Sequence, residues 1–117
     1  MRNSIIFLIF SLFTLSSYGQ DICAEEGGIC VIQFNASFNA TNSVDWFEEL
    51  TDCSISDVDI MTNTELQKKY KIVVVPTILI LDEGEEVARF QANIMMEIES
   101  TREEVQESID EIIMSKF

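Results

Sequence analysis

The chain has 117 residues, 7 of them basic and 21 acidic, for a net charge of −14, and it contains no histidine. A field of that sign repels nucleic-acid phosphates and anionic lipid, so neither is an expected partner. Without histidine there can be no Ser-His-Asp triad and no His-containing zinc site, and no cofactor or metal is expected from the residues that remain.

The amino terminus has a short basic start at Arg2, the apolar run from Ile5 to Leu15, and then Ser16-Ser17-Tyr18-Gly19-Gln20. A membrane span needs about 20 helical residues, so this run is too short to cross comfortably and has the layout of a secretory signal peptide. Cleavage is expected before Gln20, giving a secreted or periplasmic protein with no membrane association after the cut. Removal of residues 1–19 takes away one basic residue and no acidic one, so the exported part is still more acidic.

Residues 20–28 (QDICAEEGG) form a short acidic lead-in, and one domain is expected over residues 29–117. Ile29-Cys30-Val31-Ile32-Gln33-Phe34 is apolar at nearly every position, as in a parallel strand covered on both faces. From Ser43, a suitable N-cap, Val44, Phe47 and Leu50 recur at helical spacing, which predicts an amphipathic helix. Cys53 to Met61 reads as a second strand. Thr62-Asn63-Thr64-Glu65 has the capping-box pattern and predicts a short helix with Leu66 and Tyr70 on one face.

Pro76 cannot donate to a ladder, so the next strand is expected to begin at Thr77. After the turn Asp82-Glu83-Gly84-Glu85, residues 86–92 supply an antiparallel partner with Val87 and Phe90 facing inward. The stretch 93–100, with Met95 and Met96, has no assignment; adjacent methionines of this kind finish cores or adapt to partner surfaces. Thr101-Arg102-Glu103-Glu104 is a second capping box, opening a helix that carries Val105, Ile109, Ile112 and Ile113. The order is β-α-β-α-β-β-α, an α/β fold with a central mixed sheet and helices on both faces.

Three stretches in this order resemble the thioredoxin family: Gln33-Phe34-Asn35-Ala36-Ser37-Phe38, Leu66 through Thr77 with its Lys-Tyr ending and Val-Pro-Thr, and the hairpin from Ile78 to Phe90. The resemblance implies a thioredoxin-like fold and a cis bond before Pro76. It also implies that the Cys-x-x-Cys of active members is replaced here by Asn39-Ala40-Thr41-Asn42, and that their buried acid is replaced by Gln33. Dithiol exchange needs one thiolate to attack and a second thiol to resolve, and asparagine can do neither. The resemblance therefore implies a redox-inactive binding or structural module for a peptide or protein partner. Phe38, Ala40, Val75, Pro76 and Thr77 are the candidate peptide-binding residues.

Three cysteines remain, Cys23, Cys30 and Cys53, in a chain read as exported to where disulfides persist. A structural disulfide is expected between Cys23 and one of the other two. By the resemblance, Cys30 and Cys53 fall at the pole away from the family's site. The alternative function is a thiol-disulfide oxidoreductase using one of these cysteines, and a subunit role in a larger assembly is also compatible with the composition. Two sequons, Asn35-Ala36-Ser37 and Asn39-Ala40-Thr41, are read as chance, their asparagines serving as caps and hydrogen bonders.

Overall fold

A computed structural model describes residues 28–117. The signal peptide with its cut before Gln20, nearly all of the lead-in, and Cys23 lie outside the described residues. Strand β1 (Ile29–Asn35) is buried at every position. It pairs in parallel with β2 (Ser54–Asp59) and antiparallel with β3 (Thr77–Asp82), which pairs antiparallel with β4 (Glu85–Gln91). The sheet order is β2-β1-β3-β4, a mixed sheet as the sequence predicts.

The alternation of side chains along β1 divides the core into two layers. Cys30, Ile32 and Phe34 join Leu79 and Leu81 on one face, where Leu66 and Tyr70, in and just after helix α1 (Thr64–Lys69), pack against them. Ile29 and Val31 join Ile78 and Ile80 on the other, beneath Val105 and Ile109 of helix α2 (Arg102–Met114). Helices therefore cover both faces. The capping box of α2 forms as its sequence requires: Glu104 N donates to Thr101 Oγ1 at 3.2 Å, and Thr101 N donates to Glu104 Oε1 at 3.0 Å.

Three expectations fail for identifiable reasons. The helix from Ser43 does not form. Residues 37–50 contain two short 3-10 helices, Ser37–Asn42 and Phe47–Glu49, with Phe47 and Leu50 still buried. A β-branched valine and two aromatics lower helix propensity there.

The capping box at Thr62 does not form either. Asp59 turns the chain first, its Oδ1 accepting from Met61 N and its carbonyl from the Thr62 hydroxyl, and α1 starts behind Asn63 without a side-chain cap. Val87, expected inward, is 48% exposed. Ile80 pairs with Ala88 but Leu81 with Glu86, so Val87 is the extra residue of a bulge. Ala88 and Phe90 pack against the core instead. The hairpin itself closes on Glu83 and Gly84, with φ of 56° and 88°, the left-handed pair that a two-residue turn of this twist demands.

Candidate functional site

The strand register sets where the loops meet. Asn35 pairs with Asp59, Phe34 with Thr77, and Thr77 with Gln91, so the ends of β1, β2 and β4 and the start of β3 share one pole of the sheet. Four segments converge there: the 3-10 turn after β1, the Asp59 turn, the approach to Pro76, and residues 92–96. The Val75-Pro76 bond is cis.

Asn39 ties the convergence together. It is only 6% exposed, and its φ of −117° interrupts the 3-10 helix around it. Its Nδ2 donates to Asn35 Oδ1 at 3.2 Å, to Met96 O at 3.3 Å and to Val75 O at 3.4 Å. Its Oδ1 accepts from Asn42 Nδ2 at 2.9 Å. Asn35 returns the contact, donating to Asn39 O at 3.0 Å and Ser43 Oγ at 2.8 Å. One buried carboxamide thus links the segment after β1, the residue before Pro76, and the turn at Met96. Buried polar atoms need such partners, and among the described residues no buried side-chain nitrogen or oxygen lacks one.

Gln33 is 2% exposed and is satisfied at both ends of its amide. Its Nε2 donates to Asp57 Oδ1 at 3.0 Å while its Oε1 accepts from Val44 N. The position holds a neutral hydrogen bonder with no proton to exchange near neutral pH.

The peptide-binding candidates separate by exposure. Phe38 is 70% exposed and Ala40 is exposed, whereas Val75, Pro76 and Thr77 are buried. Val75 packs in the core beside Ile72, so it is no part of an apolar rim. Thr77 donates its hydroxyl to Val74 O at 2.7 Å, shaping the approach to Pro76. Of these candidates only Phe38 is a large exposed apolar group, and others of this pole join it. Phe38, Met61, Val73, Val74, Ile94 and Met95 all belong to the four converging segments, and they are six of the nine exposed large hydrophobic residues among those described.

Sequence reasoning took Asn35 for a hydrogen bonder and Ser43 for an N-cap without joining them to Asn39, and it missed Met96 in the network and Val73 and Ile94 as surface groups. The available signal for Asn35 was a polar residue closing an apolar strand. For Met96, whose φ is 63°, none was available.

The cysteines sit at the other pole. Cys30, second in β1, is disulfide-bonded, and Cys53 is free; the position of Cys23 lies outside the described residues. Cys30 pairs in register with Ser54, so Cys53 is a sequence neighbour of its partner, yet the two side chains pack in opposite core layers. Burial, and secondarily the Asp52 carboxylate, push the Cys53 thiol up to about 11. That is the reverse of what a nucleophilic thiol requires.

A cleft of about 560 Å³ adjoins the first pole, between residues 37–48 and the carboxyl half of β2, with Gln33 and Asn35 in its wall. Among the described residues no group of three or more acidic or cysteine side chains is disposed to hold a metal ion. No helix among them is long and apolar enough to cross a membrane.

No protein-family model matches the chain, and no curated protein matches it. Its backbone, however, is similar to solved thioredoxins. A point-mutant thioredoxin from Halobacterium salinarum NRC-1 aligns with a TM-score of 0.53 at 19% identity, over 73% of this chain and 74% of that one. Fasciola hepatica thioredoxin aligns at 0.52 and 23% identity, over 74% and 82%. A designed protein aligns at 0.58 and 23%, over 75% and 83%. Identities this low speak to the path of the backbone, and the chain has a thioredoxin-like fold.

Proposed function

We propose that this chain is an exported thioredoxin-fold module that binds a segment of a peptide or protein partner and carries out no dithiol exchange. The reading places Asn39 and Asn42 at the positions of the redox pair. The observation that carries it is the pole itself, a buried, non-ionising carboxamide centre surrounded by exposed apolar side chains. Exposed hydrophobic groups concentrated in one region are the usual mark of an interaction surface. The contrary reading, exchange through a remaining cysteine, has little to work with: Cys30 is already bonded and the Cys53 thiol is half-buried and hard to ionise.

Two measurements test the proposal. In insulin-disulfide reduction the natural protein is expected to be inactive and an Asn39→Cys/Asn42→Cys variant active; activity in the natural protein would overturn the reading. In a titration with a carboxymethylated unfolded protein, binding is expected and Phe38→Ala is expected to weaken it several-fold, about 1 kcal/mol for one exposed aromatic contact. No binding, or binding indifferent to Phe38, removes the assigned surface.

A further inference from the structure

The cleft beside the pole has a chemistry that the apolar side chains do not explain. Asp45, Glu48, Asp57 and Asp59 line it, and no lysine or arginine does. The ion pairs found among the described residues all lie elsewhere, joining Arg89 to Glu86, Arg102 to Glu49 and Glu103, and Lys116 to Asp82. The cleft is therefore a concave, negatively charged recess without a counter-charge from its own walls. The carboxamide of Gln33, also in its lining, is bonded to Asp57 and to the Val44 amide.

The recess is continuous with the apolar pole. Ser37 and Ala40 line the cleft, and Phe38 between them stands exposed on the pole; Asp59 lines it, and Met61 two residues on is exposed beside it. Ala36, Ala40, Val44 and Val58 give the walls an apolar component along which an alkyl stem can lie while its charged head reaches the carboxylates. A bare metal ion would need a compact ligand set, and the described residues offer none.

We propose that this cleft receives a lysine or arginine side chain from the partner segment whose apolar residues cover the neighbouring pole. The proposal rests on the binding reading above and names the chemistry of the partner: an extended polypeptide in which basic residues are interleaved with apolar ones. Charge complementarity is the argument, since a recess lined by one sign of charge concentrates field and selects the opposite sign.

The test uses the purified protein with its disulfide intact and three labelled peptides in which leucine alternates with lysine, with serine or with glutamate. The lysine peptide is expected to bind about tenfold tighter than the serine peptide at low salt, and the advantage to shrink at high salt. Asp45→Asn/Glu48→Gln is expected to remove that advantage while keeping the serine-peptide affinity, which also reports that the fold is intact. Glu107→Gln/Glu111→Gln on α2, which deletes the same number of charges away from the cleft, is expected to leave the advantage within about twofold of its starting value. Equal binding of the lysine and serine peptides overturns the proposal and leaves the binding reading standing. Equal loss in the two double variants also overturns it, because the preference then belongs to the overall charge of the chain. Failure of all three peptides to bind overturns both.

Discussion

The two poles of the sheet divide the chemistry of the molecule between them. Where β1 ends, carboxamides fill the centre and apolar side chains point outward; where β1 and β2 begin, the described cysteines are found, one bonded and one half-buried. Cys30 and Asn35 stand five residues apart on one strand, about 17 Å at the usual rise. A cysteine at the first pole could be reached by whatever docks there, whereas at the second Cys30 is buried and bonded and Cys53 is half-buried. Among the described residues, the exposed apolar groups of the first pole carry no sulfur except that of methionine.

The largest effect that would sharpen this contrast is reduction of the Cys30 disulfide. A native disulfide is worth about 2–4 kcal/mol, so reductant is expected to lower the urea midpoint clearly while leaving Phe38-dependent binding in place. Loss of binding on reduction would break the separation of the poles. Next comes Asn39→Ala, which strands the partners of a buried amide; a loss of about 2–3 kcal/mol in urea unfolding is expected. A loss below about 0.5 kcal/mol would mean that the network does not hold the converging loops together.

Cys53 gives a smaller effect. With its thiol at about 11, the thiolate at pH 8 is about 100-fold scarcer than for an ordinary cysteine. Greater intrinsic nucleophilicity recovers about tenfold, so alkylation is expected to run about tenfold slower than in a model peptide. Its folded value lies above the unfolded one, so the linked stability is present below pH 9 and is lost as pH rises through about 11. Alkylation at the model-peptide rate would show that Cys53 is accessible and place reactive sulfur at the second pole after all. The smallest effect is Phe38→Ser, expected to change stability by less than about 0.5 kcal/mol, because the side chain is mostly in water already.

Much of the fold was legible because its signals were local and mutually consistent. The apolar run of β1, the proline that delays β3 to Thr77, the turn at Gly84 and the Thr101 box each specify an element by themselves, and each forms where expected. The failures have other causes. The segment after Ser43 has helical spacing, but its valine and two aromatics are weak helix formers, and it takes up short 3-10 turns. Asp59 turns the chain before the Thr62 box can act, and a bulge shifts Val87 to the outside. Local spacing alone outweighs neither weak propensity, nor an earlier turn, nor a shift of strand register. The site was legible as a location and not as a composition: Asn39 and Pro76 lie at the expected pole, while the inward turn of Val75 and the outward turn of Ile94 depend on packing between loops that no periodicity encodes.

The buried asparagines carry one more implication, for how the protein must be made. Asn35 Nδ2 and Asn39 Nδ2 are the atoms to which a glycan would be joined at the two sequons, and both already donate within the closed network. An oligosaccharide added to the nascent chain at either position could not be accommodated, so sugar and fold exclude one another. In a secretory host that glycosylates such motifs during translocation, product bearing a sugar at either asparagine is expected to be retained or degraded, and the native fold to be confined to the sugar-free fraction.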